Sequence, residues 1–249
     1  MIECDRVTKS IGGELVLDEV TCAFPGHRLS LLIGPSGSGK TILLRHLTGA
    51  LRPDFGDIRI DRVSVPHLKE QQLLEYRRTL GVIFQGHPAL FSGLSVYDNV
   101  AFPLRQLRKL HPYVVNELVM DALHEVGLAD AARKLPEQLS SGMKTRAAFA
   151  RATILKPRVL LFDAPETGVD AVRTELLVEL LNGLKQSYAP TAVVATHAYH
   201  RLFRVADHIV VMDRGRVVEE GDPSHVLSST SDFVEQFLQG SRSGPLGMA

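Results

Sequence analysis

The sequence predicts an α/β fold: a parallel sheet with crossover helices, an antiparallel hairpin at one edge and an inserted helical subdomain. Three observations lead there. Short, nearly continuous apolar runs at Leu29–Ile33, 159–162 and Thr191–Ala195 have the length and composition of strands buried on both faces. Stretches of helical period separate the later ones, as crossovers between parallel strands require. From 86 to 151 the strand signals stop and helical spacing takes over.

In chain order, residues 2–7 and 16–24 alternate around Gly12-Gly13 and read as the edge hairpin. Leu29–Ile33 is a buried strand ending at Gly34. Residues 40–51 carry Ile42, Leu43, Leu44 and Leu47, the broad apolar face of a helix. Residues 58–65 read as a further edge strand. Inside the insertion, Val115, Leu118, Val119, Ala122, Leu123 and Val126 recur at helical spacing. A helix with Leu176, Leu177, Leu180, Leu181 and Leu184 joins the last two buried runs. Residues 209–212 and 216–218 flank an Arg214-Gly215 turn as a late hairpin. The expected organisation is one domain, 1–236, with the insertion at about 86–151, and a Gly- and Ser-rich tail, 237–249, that cannot pack a core by itself.

Composition narrows the function. Among 249 residues, Lys plus Arg is 28 and Asp plus Glu is 28, so the formal charge is zero. Such a chain lacks the basic surface that grips a phosphate backbone, and nucleic acid is not an expected partner. No apolar run is long enough to cross a bilayer and the N-terminus has no signal-peptide core, which predicts a soluble, cytosolic protein. Two cysteines, Cys4 and Cys22, cannot make a disulfide framework or a four-ligand zinc site and read as small buried hydrophobes. His197 and His200 are three apart, but no Cys or acidic cluster completes a metal site around them.

The strongest signal is Gly34, Pro35, Ser36, Gly37, Ser38, Gly39, Lys40 and Thr41, which match GxxxxGK[ST] between an apolar strand and a helix. Glycines let successive backbone N–H groups curl inward, and the helix adds its positive N-terminal dipole. Lys40 would reach the β- and γ-phosphates of a nucleoside triphosphate, and the Thr41 hydroxyl would bind Mg²⁺. Asp163 ends a buried apolar run and would present its carboxylate where open α/β sheets bind ligands, as a second Mg²⁺ ligand.

With Leu139-Ser-Ser-Gly-Met143 between these elements, the chain resembles the ATP-binding subunit of an ABC transporter, a P-loop NTPase with a RecA-like core and an inserted helical subdomain. The resemblance implies roles for several residues. Gln85 resembles the Q-loop glutamine that senses Mg²⁺ and the membrane partner. Ser140 and Gly142 lie in the counterpart of the LSGGQ signature. Asp170 resembles the aspartate that closes the D-loop, and His197 the switch histidine that senses the γ-phosphate. It also implies a head-to-tail pair of subunits, each ATP lying between one chain's phosphate loop and the other's signature, and an integral membrane permease as partner. Residues 89–91, Ser95-Val96, 99–105, Met143 and a tail match over 237–246 resemble the ATPase of Mla-type (MCE-linked) phospholipid transporters. That branch implies a place on the cytoplasmic face of the inner membrane and an MCE-type lipid-binding partner.

The pattern breaks at three positions. The resemblance puts a water-activating glutamate directly after Asp163, where this chain has Ala164. Loss of a general base costs on the order of 10² to 10⁴ in rate. Three readings stay open: Glu166, beyond Pro165, turns back to compensate as a catalytic residue; Glu166 is a solvated turn residue; or Ala164 is a substitution that traps ATP. Ser141 replaces the first signature glycine, with a hydroxyl that can still donate to phosphate. Ile11 stands where many relatives stack an aromatic ring on adenine, and it offers less dispersion contact. Three rival functions fit the sequence less fully or in part. An ATP-gated clamp with little hydrolysis fits Ala164. A DNA-repair or chromosome-organising ATPase lacks its long coiled coils here. A small-metabolite kinase leaves Ser140, Gly142 and His197 unexplained.

Overall fold

The computed structural model describes residues 1–84, 90–107, 110–167, 171–241 and 244–246. The chain forms two compact units, Met1–Arg77 with Thr191–Ala249, and Arg78–Pro190.

The first unit opens with β1 (Ile2–Ile11) and β2 (Glu14–Phe24), an antiparallel pair with Cys4 opposite Cys22. Both cysteines are free thiols and both are buried. β3 (Leu29–Ile33) is buried along its whole length and leads through the glycine-rich loop into α1 (Lys40–Leu47). α1 stops short of the expected residue 51. The Thr48 hydroxyl donates to the Arg45 carbonyl at 2.8 Å and Gly49 turns left-handed at φ 65°. β4 (Phe55–Ile60) and β5 (Val63–Ser64) correct the expected single strand at 58–65. Asp61 and Arg62 both adopt positive φ and fold it into a hairpin. The sheet order is β2-β1-β4-β5, so β4 lies inside the sheet and the edges are β2 and β5. α2 (Glu70–Arg77) follows, with no buried residue. It is tied down by Tyr76, whose hydroxyl donates to the Leu47 carbonyl, and by Arg77, which donates to the Thr48 and Gly49 carbonyls.

The second unit holds a short parallel pair and the helices. β6 (Leu80–Ile83) runs parallel to β7 (Val159–Asp163), with Ile83 opposite Phe162. Between them in sequence come α3 (Val96–Leu107), α4 (Pro112–Glu125) and α5 (Ser141–Thr153), where the sequence predicts a helical insertion. Val96, Val100 and Leu104 of α3 are buried, as are Val115, Val119 and Leu123 of α4 and Ala147 and Phe149 of α5. Each large apolar side chain so buried contributes about 1.5–3 kcal/mol. α6 (Ala171–Ser187) is the leucine-rich helix after β7.

The chain then completes the first unit with β8 (Thr191–Ala195), α7 (Tyr199–Leu202), β9 (His208–Asp213), β10 (Arg216–Gly221), α8 (Pro223–Leu227) and α9 (Asp232–Gln239). β3 runs parallel to β8 on one side and to β9 on the other. β9 and β10 form the late antiparallel hairpin. α9 continues through Phe237, so the segment expected as a tail begins inside a helix. No helix among the described residues is long and apolar enough to cross a membrane.

Candidate functional site

In the first unit the glycine-rich loop leaves the carboxyl end of β3 and curls back on itself. Gly34 has φ 147°, and a Cβ there would strike the Met212 carbonyl. Gly39 has φ 100°, and its Cβ would lie 2.8 Å from Leu17. Both positions therefore exclude a side chain on conformation and on space together. Lys40 is largely buried, and its ammonium donates to the Gly34 carbonyl (2.8 Å), the Pro35 carbonyl (2.7 Å) and Ser38 Oγ (3.1 Å). The lysine thus lies across the mouth of the loop formed by Gly34–Thr41. α1 starts at Lys40 with Gly39 as a cap that offers no side-chain hydrogen bond, and with no acidic residue in its first turn. Its first N–H groups and dipole face the loop, an arrangement suited to anionic phosphate. Ser36 and Gly37 are exposed, and Ser38 is buried.

His197 belongs to the same unit. Leu32 of β3 pairs with Ala195 of β8, and the Thr196 N–H continues the ladder to the Leu32 carbonyl at 3.2 Å. The turn with His197 therefore emerges beside the loop at the carboxyl ends of adjacent parallel strands. His197 itself is exposed. Ile11 closes β1 with 43% of its surface exposed, free to cover an apolar ring face.

The second unit carries the acidic group and the signature. Asp163 ends β7 and is buried. Ala164 follows with φ 42° and only 4% of its surface exposed. A non-glycine residue in the left-handed region stores on the order of 1 kcal/mol of strain, a feature common at functional sites. The Thr167 N–H closes the turn onto the Ala164 carbonyl at 3.0 Å. Glu166 corrects one expectation, because it is not a solvated turn residue. It is half-buried and lines a small cavity with Gly142, Thr145, Arg146 and Phe149 of α5, Pro165, and Leu177 and Leu180 of α6. Its carboxylate is built into the packing around the signature helix.

Ser140 caps α5. Its Oγ accepts the Met143 N–H at 3.3 Å, which leaves the hydroxyl hydrogen for a ligand. Ser141 is exposed at the first helical position, while Gly142 is buried. α5 has no acidic residue in its first turn, so this helix N-terminus also favours an anion. Gln85 and Asp170, both singled out in the sequence, lie outside the described residues.

The donor chemistry fits Mg²⁺. The Thr41 hydroxyl at the start of α1 in the first unit and the Asp163 carboxylate at the end of β7 in the second are each hard oxygen donors, the kind that Mg²⁺ takes beside phosphate and water. Among the described residues no cluster of three His, Cys, Asp or Glu could hold a metal without such help.

Sequence reasoning missed the role of Asn99. Its buried carboxamide accepts the Phe91 N–H at 2.8 Å and donates to the Phe91, Leu94 and Ser95 carbonyls at 3.0–3.1 Å. It fixes a loop whose Phe91 ring is 45% exposed and lies 4.8 Å from the Phe102 ring. The signal was present: an asparagine on the apolar face of an amphipathic helix needs polar partners.

The family model for ABC transporters matches residues 17–167. The chain is 38% identical over 248 residues to the probable ribonucleotide transport ATP-binding protein mkl of Mycobacterium tuberculosis, covering all of this chain and 69% of that one. It is 34% identical to the intermembrane phospholipid transport system ATP-binding protein MlaF of Escherichia coli, covering 99% and 91%. Among solved structures it is similar to the ATP-binding cassette MJ0796, seen as a dimer in a post-hydrolysis state with ADP and Pi. The TM-score is 0.82 at 28% identity, covering 90% of this chain and 99% of that one.

Proposed function

The chain belongs to the ABC transporter family as an ABC-type ATPase, and on that premise we propose that it powers a membrane phospholipid transporter by ATP-driven pairing with a second copy of itself. The observation that carries the ATP-handling part is the loop at Gly34–Thr41 beside the His197 turn, on the neighbouring strands β3 and β8. Lys40 exchanges its bonds to the Gly34 and Pro35 carbonyls for the β- and γ-phosphates, which are better acceptors because they are charged. The N–H groups at the start of α1 hold the same phosphates. Thr41, Asp163 and Gln85 hold Mg²⁺, which when bound neutralises the phosphate oxygens. His197 donates to the γ-phosphate from the adjacent turn.

The second wall of the pocket comes from the other copy. Its Ser140 hydroxyl and the N-terminus of its α5, including Gly142, meet the γ-phosphate from the far side. Binding energy realised only in the closed pair shifts the equilibrium towards closure, and hydrolysis followed by phosphate release reopens it. The helical insertion, with Phe91 held by Asn99, passes that motion to an integral membrane permease. An MCE-type partner carries the lipid, and the ATPase pair sits on the cytoplasmic face of the inner membrane. The phospholipid assignment is supported by the name of the Escherichia coli relative. The mycobacterial relative is named for ribonucleotides, so the substrate needs its own test. Isolation of the chain with its permease from native membranes tests it: phospholipid bound to the complex is expected, and a bound nucleotide or amino-acid substrate with its permease overturns the lipid assignment.

One observation favours a second reading, a clamp that closes on ATP and hydrolyses it slowly. Ala164 fills the water-activating position with a buried methyl that neither accepts a proton nor orients water. Steady-state turnover separates the two readings, since a clamp binds ATP tightly at a rate near background.

A further inference from the structure

Resting on the reading of His197 as a γ-phosphate sensor, we infer that Tyr199 and Gln236 are positioning residues, through which the C-terminal helix holds the His197 turn in place. The turn runs from Thr196, at the end of β8, to Ala198, which precedes α7, and α7 is a single turn of four residues. Helices that short do not hold themselves in water. Locally the Ala198 N–H bonds to Thr196 Oγ1 at 2.9 Å.

A second restraint comes from α9. The Tyr199 ring is buried, and its hydroxyl donates to the Phe237 carbonyl at 2.8 Å. That carbonyl lies in the last turn of α9, where helical C=O groups have no partner of their own. The ring adds contacts to Phe237 (5.0 Å between centroids), Phe203 (5.6 Å) and His200 (4.2 Å). Burial pushes the Tyr199 hydroxyl above its ordinary pKa, so it stays a donor.

α9 is fixed in turn by Gln236, whose surface is 5% exposed. Its Oε1 accepts the Leu246 N–H at 2.7 Å, and its Nε2 donates to the Ser241 carbonyl at 3.1 Å and the Leu246 carbonyl at 3.4 Å. One buried amide therefore pairs both backbone groups of Leu246. Gly244 has φ 147°, and a Cβ there would collide with the Gln236 carboxamide, so the segment passes close over the side chain. The path runs from Leu246 through Gln236, α9 and Phe237 to Tyr199, two places after His197.

The test uses the full chain with Tyr199→Phe, which removes one hydroxyl, and Gly244→Ala, which disturbs the far end without touching α7. Hydrogen exchange of residues 196–203 should rise roughly fivefold in each, as loss of one hydrogen bond implies, while residues 34–47 exchange as before. ATP turnover should fall by a similar factor with the KM for ATP unchanged. Neither substitution should reduce turnover further in a His197→Ala chain. Unchanged exchange at 196–203 in both variants overturns the positioning role, as does an equal loss of turnover with and without His197. Full turnover in His197→Ala alone overturns the sensor reading instead, and the exchange result still decides whether α9 holds the turn.

Discussion

The Thr196 N–H donates to the Leu32 carbonyl at 3.2 Å, one residue beyond the last strand pair between β3 and β8. Two residues past Leu32 the chain reaches Gly34, and one residue past Thr196 it reaches His197. A single register thus sets two sequence-distant motifs side by side at the carboxyl end of a parallel sheet, where such sheets bind ligands.

Lys40→Ala should weaken ATP binding by roughly ten- to a hundredfold, since a charge-assisted hydrogen bond is worth about 1.5–3 kcal/mol. Calorimetric titration with ATP and Mg²⁺ checks it. An affinity within twofold of the unchanged chain would place the nucleotide elsewhere.

Ala164→Glu should raise turnover by on the order of 10² to 10⁴ if a missing general base limits the reaction. Ala164 already carries a Cβ at φ 42°, so glutamate adds little backbone strain. Ala164→Gly should relieve that strain and stabilise the fold by about 1 kcal/mol in urea unfolding. No gain in turnover for the glutamate variant, with its ATP affinity intact, would show that Ala164 is not the limiting defect.

Glu166→Gln keeps the shape of the side chain in the cavity beneath α5 and removes its charge. If Glu166 serves the packing of the signature helix, turnover should stay within about threefold. A loss of 10² or more, the size expected of a general base, would make it the catalytic carboxylate after all.

The fold was legible wherever burial alone decides structure. Leu29–Ile33 and Thr191–Ala195 are apolar on both faces and form β3 and β8 with those limits. Legibility failed where tertiary bonds override local pattern. Residues 58–65 look like one strand until Asp61 and Arg62 turn left-handed, and α2 shows no apolar face because Tyr76 and Arg77 tie it to backbone carbonyls. In the site, the phosphate loop was readable because its chemistry is local in sequence. The surroundings of Glu166 and the bonds of Gln236 were not, since both depend on helices brought together only by folding.

Asn99→Ala should cost about 1–3 kcal/mol, because the part-buried Phe91 N–H and Leu94 carbonyl lose the carboxamide that pairs them. Chemical unfolding measures the loss, and pull-down of the permease should fail with it. Full stability would mean that water replaces the carboxamide.

Acid should destabilise the first unit. Burial pushes the His46 imidazole below its ordinary 6.5, with Lys9 nearby acting in the same direction and Asp54 and the Ile42 carbonyl opposing it. Burial lowers His208 as well, aided by Arg28 and opposed by Asp222 and Asp207. Below pH 6.5 the unfolded chain binds more protons than the folded one, so stability is fully present above that pH and falls as the pH drops beneath it. Urea unfolding at pH 7.5, 6.5 and 5.5 should show that slope, and His46→Gln should flatten it. A rise in stability on acidification would reverse the assignment.

Pairing around ATP is decided by sedimentation. With saturating ATP and Mg²⁺, and with the permease supplied if needed, the chain should sediment as a pair that Lys40→Ala prevents. Single particles under those conditions would mean that the nucleotide pocket is complete in one chain and that closure is not how this ATPase works.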